Sequence, residues 1–212
     1  MDKKIIISIL IILVLVSSTV FGMRINNSID INYDISSNNT VSTVIVPNII
    51  EKISLLNYIK QKAGFNDENA QFLINICEEK SLDIFTVLAI MKVESNFCHN
   101  VVGNSGEKGI GQVMDNTARL TAKRLNIEYK PEYLYDIKYN ITLFTEHLKY
   151  LKDKYDNDIH KMLTAYNRGR GGLQKYMASR ANYKRPQESS YSKKVIKFMN
   201  LYTYEFEKEI VK

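Results

Sequence analysis

Apolar residues recur at helical spacing along most of the chain after Pro47. The stretch NIIEKISLLNYIKQKAGF places Ile49, Ile53, Leu56 and Ile59 or Lys60 near one face, with Gly64 as a stop. DENAQFLINICEEK repeats the pattern with Ala70, Leu73, Ile74 and Cys77. Asp83 is placed to N-cap a helix over Ile84–Phe97. That segment is apolar nearly all round, which predicts a helix running through the middle of the domain. Helical patterns resume at DNTARLTAKRLN, at DIKYNITLFTEHLKYLKDKY and at DIHKMLTAYN, the last ending near Gly169, and a final helix is predicted over Ser190–Lys208. One stretch, VVGNSGEKGIGQVM, breaks the pattern. Its Gly103, Gly106, Gly109 and Gly111 predict turns or a short β-like excursion, where backbone can come close to another group. The pattern predicts a mainly α domain, with a small loop or hairpin insertion beside a central helix.

The chain before Pro47 reads differently. Residues 1–22 have a basic start, an apolar run from Ile5 to Val16, and small residues leading to Val20-Phe21-Gly22. That is the layout of a secretory signal cut after Gly22. Counted through Met23, the run nears the length of a spanning helix, so an uncleaved membrane anchor is the rival reading. Absence of a Cys near its end argues against a lipoprotein. Both readings place the domain outside the cytoplasm, in the periplasm or cell envelope. Residues 23–47 are rich in Asn, Ser and Thr, include the β-prone VSTVIV, and are expected to form a tether. Residues 48–212 are then the globular domain, with no internal repeat.

At 212 residues, 45% hydrophobic and 25% charged, the chain can bury one good core. Its formal charge of +6 is weighted late. Between Leu173 and Asn200 stand Lys175, Arg180, Lys184, Arg185, Lys193, Lys194 and Lys197 against Glu188 alone. Such a surface suits anionic polymers or membranes, or is simply a solvated basic face. The run NRGRGG is too short for a phosphate loop and lacks its Lys-Ser/Thr ending; a helix C-terminus followed by a loop accounts for it. His99, His147 and His160 stand far apart without Cys or carboxylates at ligand spacing, so no metal is expected. No cofactor or nucleic-acid partner is expected either. Cys98 beside His99 suggests a thiol nucleophile, but adjacent helix residues point about 100° apart and would not hydrogen-bond directly. Cys98 reads as a core residue, or as half of a bridge with Cys77 in an oxidising compartment.

Glu94 is the anomaly. On a helix its neighbours one turn away are Ile90, Met91, Phe97 and Cys98, none of which can pair with a carboxylate. A carboxyl in an apolar setting holds its proton to higher pH and can act as a general acid, as in glycoside hydrolysis. The bland alternative is that Glu94 points out of the bundle or caps a backbone group.

Several stretches, in order, bear on that choice. VESNF resembles the Glu-Ser motif of the soluble-type lytic transglycosylases, GEKGIGQVM their Gly-Leu-Met-Gln motif, and TAYNRG their Ala-Tyr-Asn-x-Gly motif. YLYDIKYNITLFTEHLKYL is similar to the family's Asp-x-x-x-Asn-Ile helix. The resemblance covers about Leu82 to Tyr191 and implies the α+β lysozyme-like fold shared with goose-type lysozymes. It implies cleavage of the β-1,4 bond between N-acetylmuramic acid and N-acetylglucosamine, with peptidoglycan glycan strands as the partner. Glu94 would be the single general acid and base, and Ser95 would support it or contact the sugar. Gln112 would line the groove, Tyr166 would place its hydroxyl on the Glu94 carboxyl, and Asn167 would hydrogen-bond a sugar substituent.

The sequence departs from the family pattern in places. Gly111 stands where Met is usual, which implies a more open groove wall, and Asp115 stands where Pro is common. The family's Glu four residues before a Tyr-Val pair is here Gln187 before Tyr191-Ser192, and Glu188 could replace it only with a local shift. With no second acid standing out, the sugar's own 6-hydroxyl would attack and leave a 1,6-anhydro end. A goose-type lysozyme would hydrolyse the same bond, and a non-catalytic wall-binding or secretion-assembly module would keep the fold without needing the acid.

Overall fold

The computed structural model describes residues 40–210, with side chains from Ile49 onward. The leader and residues 23–39 of the expected tether lie outside the described residues. Contacts divide the chain between Thr43 and Val44, and the architecture described here is that of the second unit.

Among the described residues seven α-helices follow one another: α1 Thr40–Ala63, α2 Asp67–Glu79, α3 Ile84–Ser95, α4 Asp115–Leu125, α5 Ile137–Lys154, α6 Ile159–Ala178 and α7 Ser190–Ile210, with a 3-10 turn over Pro131–Tyr135. No strand occurs among the described residues. The Gly-rich excursion is a small hairpin-like loop held by two antiparallel bridges, Val102 with Lys108 and Lys108 with Val113. A mainly helical fold with one loop insertion was the expected class, and it is the class observed.

Local chemistry sets the helix starts. Asn66, Asp83, Asp136 and Asp158 each accept from the backbone N–H three residues on, occupying a donor that the first turn leaves free. α1 begins earlier than the pattern suggested, inside the stretch read as a tether. Val, Ile and Thr cost a helix under about 0.7 kcal/mol each, and the interior Pro47 about 3 kcal/mol. Its inward face is also shifted. Ile49 and Ile53 stay exposed, and burial begins with Leu55 and Leu56 and completes at Tyr58 and Ile59.

α3 is the axis of the unit. Val87, Leu88, Ala89, Ile90 and Met91 are all fully buried, as expected for a helix apolar on every side. Its most extensive partner is α7, which contributes Val195, Tyr202 and Phe206. α5 packs its stripe of Ile141, Phe144, Leu148 and Leu151 against α2, α4 and α6. Tyr58, Phe85, Tyr202 and Phe206 close one end of the core, with ring centroids 5.5–6.5 Å apart.

The central helix stops sooner than expected. Asn96 takes a left-handed conformation (φ 51°, ψ 40°), which Asn tolerates better than most residues, and Phe97 follows at φ 65°. Phe97 and Cys98 are therefore not on the helix at all. Cys98 is exposed, Cys77 is buried in α2, and both thiols are free, so the bridge between them does not form.

Candidate active site

Glu94 occupies the last turn of α3, half-buried beside a cleft of about 950 Å³. Burial pushes its carboxyl up to about 7, from an ordinary 4.5. The negative charge of Glu107 pushes the same way, while a hydrogen bond from Tyr191 and the charge of Lys194 oppose it. A helix C-terminus also disfavours added negative charge. The Tyr191 hydroxyl donates to Glu94 Oε1 at 2.5 Å.

That phenol is not the one expected. The Tyr166 hydroxyl donates instead to the Gly111 carbonyl at 2.6 Å. Tyr166 still lines the cleft beside Glu94, and burial together with the Glu94 carboxyl holds its phenol well above the usual range. Gln112 and Asn167 line the same cleft. Gln112, at φ 48°, turns its amide back on the loop, donating to the Gly109 carbonyl at 2.8 Å and the Val101 carbonyl at 3.2 Å. It latches the wall it also lines. The Ser95 hydroxyl lies 2.8 Å from the Ile110 carbonyl and 3.1 Å from that of Met91, tying the end of α3 to the loop.

The loop is held from behind by Asn140, a fully buried amide in the apolar stripe of α5. Its oxygen accepts from Gly111 N–H at 2.9 Å, and its nitrogen donates to the carbonyls of Leu134 (2.8 Å) and Lys108 (3.0 Å). Asn140 thereby holds the residue whose carbonyl receives Tyr166. A Cβ at Gly109 would sit 2.1 Å from the Leu134 oxygen and 2.2 Å from Asn140 Nδ2, so the backbone must be bare there. At Gly111 the place of a Cβ lies 2.5 Å from Phe144 Cδ1. The wall is filled by Phe144 from α5 and is not more open. Removing the amide in Asn140→Ala strands the buried Gly111 N–H and the Leu134 carbonyl, each costing about 1–3 kcal/mol, while the Lys108 carbonyl keeps the Val113 N–H. Chemical denaturation should show a loss of about 2 kcal/mol or more, with an unchanged slope.

Tyr191 is positioned by hydroxyls that join α6 to the start of α7. Thr164 Oγ1 donates to the Gln187 carbonyl at 2.8 Å and lies 2.8 Å from Ser189 Oγ. Ser189 and Ser192 each accept from the other's N–H at 3.1 Å, and His160 Nδ1 lies 2.9 Å from Ser192 Oγ. Glu188 does not line the cleft. It faces Arg185 (2.8 Å), Lys193 (3.4 Å) and His160 (3.5 Å), and the Arg185 hydrogen bond holds its carboxyl below the usual range. A second carboxylate does reach the cleft: Glu107, which accepts from Ser105 N–H at 2.8 Å.

A half-buried acid with a phenol donor, beside a cleft lined with amides and aromatic rings, is an arrangement suited to protonating a bound ether oxygen. Known proteins resemble the chain over part of its length. The membrane-bound lytic murein transglycosylase C of Photorhabdus laumondii is 33% identical over 108 residues, covering 46% of this chain and 30% of that protein. The 70 kDa soluble lytic transglycosylase Slt70 of Escherichia coli has the same fold over 63% of this chain and 24% of its own, at 24% identity and a TM-score of 0.56. An inactive mutant of the lytic transglycosylase Slt of Pseudomonas aeruginosa matches 65% of this chain and 24% of its own, at 18% identity and a TM-score of 0.56. The chain thus spans less than a third of each of these relatives. The Transglycosylase SLT domain model matches residues 72–189, from α2 to the foot of α7 and through every loop that walls the cleft; the chain belongs to that family.

Proposed function

We propose that the domain is a peptidoglycan lytic transglycosylase with Glu94 as its single acid and base. The observation that carries this is the Glu94 carboxyl, raised to about 7 and facing the cleft with Tyr191 on one oxygen. Near neutral pH a large share of such carboxyls carries the proton that the leaving oxygen needs. The step balances without water. Glu94 gives its proton to the glycosidic oxygen as the bond to muramic acid C1 breaks. The muramic acid 6-hydroxyl oxygen then bonds to C1, and its proton passes to the Glu94 carboxylate. The products are a 1,6-anhydromuramic acid end and a free N-acetylglucosamine hydroxyl. Gln112 and Asn167 would hold the sugars, Ser95 and Tyr166 the walls. The basic start and apolar run of residues 1–22 support export, which a mass measurement of the N-terminus of envelope-located protein would test.

Glu107 gives hydrolysis a foothold, because a two-carboxylate enzyme uses its second acid to activate water. Product mass separates the readings, since an anhydro end is one water lighter than a reducing end. In the transglycosylase, Glu107→Gln keeps anhydro products and lowers the Glu94 pKa by removing a negative neighbour. The alkaline fall in kcat/KM should then begin at lower pH than in the wild type. Reducing ends from the wild type, lost in Glu107→Gln, would replace transglycosylase with hydrolase.

A further inference from the structure

The cleft that holds Glu94 has a strongly basic arm. Lys123 and Arg124 near the end of α4 line it, as do Arg168 and Arg170 on either side of Gly169, where α6 kinks (φ 70°, ψ 165°). None of the four pairs with a carboxylate among the described residues. The nearby acids Glu146 and Asp153 are taken by Lys80 and Lys149. Two of the guanidiniums converge on one ring: Arg124 Cζ lies 4.8 Å and Arg170 Cζ 5.8 Å from the Tyr150 centroid, and Arg170 donates to the Tyr150 hydroxyl at 3.0 Å. Arg124 also donates to Thr121 at 3.2 Å, so both side chains are held in place. His147 registers the resulting field. Burial, and then the charges of Arg124 and Arg170, push its imidazole down to about 4. Like charges held together without a counter-ion form a site for an anion.

We propose that Arg124 and Arg170, braced on Tyr150, form a subsite for the carboxylates of the peptide stems that glycan strands carry. This rests on the reading of the cleft as one that cuts such strands. The sugar rings bring hydroxyls and N-acetyl groups but no charge; the anionic groups of a stem-bearing strand are the carboxylates of its stems. A stem leaves the muramic ring beside the bond to be cut, and the basic arm is continuous with that point. The Tyr166 ring lies 6.0 Å from His147, and His147 stacks 6.2 Å from Tyr150, where the arginines meet. An extended stem of about four residues reaches about 13 Å, enough to bring a carboxylate onto the pair.

The test compares kcat/KM on glycan strands that keep their stems with strands whose stems an amidase has removed and whose freed lactyl carboxylates are then capped as methylamides, both freed of phosphate polymers. The wild type should favour stem-bearing strands, and added salt should erode that preference. In Arg124→Gln/Arg170→Gln the ratio of the two rates should fall about fivefold, the scale of two exposed charge contacts. Arg124→Glu/Arg170→Glu should reverse the preference. Equal losses on both substrates would overturn the proposal, as would a preference that returns only with phosphate polymers present, which assigns the arginines to phosphate. If the wild type cuts neither substrate, the glycan-cutting reading fails instead. Calorimetric binding of stem-bearing and stem-free strands to the same proteins then decides the subsite: a preference lost in the double variants upholds it, and none overturns it.

Discussion

Glu94→Gln is expected to abolish cleavage of peptidoglycan while leaving strands bound. The amide keeps the shape and hydrogen-bonding reach of the carboxyl but cannot release a proton to the leaving oxygen. General acid catalysis contributes about 10²–10⁴ in rate, and a single group serving twice should put the loss at the upper end. Pull-down on insoluble peptidoglycan should be unchanged within about twofold, since a neutral carboxyl and an amide offer similar contacts. The wild-type rate should fall as pH rises through about 7, because Glu94 must carry its proton to begin the reaction. Stability should report the same carboxyl. Its folded-state pKa lies above its ordinary 4.5, so its contribution is complete below that pH and is lost as pH rises to about 7. The loss has an upper limit of about 3 kcal/mol. Glu94→Gln should lack that slope. Full cleavage by the variant would end the assignment of Glu94 as acid and the roles of the residues around it.

Tyr191→Phe should cost about 10- to 100-fold in kcat/KM, the scale of a hydrogen bond to a charged group. Losing the phenol frees Glu94 to rotate and removes the donor that favours its ionised form. The acid's pKa therefore rises, and the alkaline limb of the rate profile should move to higher pH even as the rate drops. A residue that merely fills the core would lower stability without moving that limb. Tyr166→Phe provides the contrast: it strands the Gly111 carbonyl and loosens the wall, so it should slow turnover without moving the limb. If the limb shifts in Tyr166→Phe and stays in Tyr191→Phe, the two phenols have been assigned the wrong way round.

Much of this site was legible in the order of residues, and the exceptions have physical causes. A polar group inside an apolar helix marked Glu94, because spacing alone reveals a missing partner within one element. The stripe Ala70, Leu73, Ile74 and Cys77 of α2 proved buried throughout, and Asp83 caps α3 as its position implied. Tyr191 escaped notice because its contact spans 97 residues, and the helix-to-helix packing that sets it leaves no local pattern. A hint was present, in the Tyr after the family's expected Glu position, yet Gln187 and Ser192 flanking it obscured the match. Asn140 left a fainter trace, one amide in an otherwise apolar stripe. The early stop of α3 at Asn96 was missed because the hydrophobic pattern runs on through Phe97, while the backbone there obeys the left-handed turn. Ile49 and Ile53 fit a helical period but outrun the core it faces.

The pairing of α3 with α7 also bears on timing. The acid and its phenol lie 97 residues apart in the chain, so a chain emerging from synthesis carries Glu94 long before it carries Tyr191. Until α7 docks, the face of α3 it covers is open to water, and a solvated carboxyl keeps its ordinary acidity. Such a nascent chain has the residue but not the acid. The raised pKa of Glu94 therefore arrives only with the docking of α7.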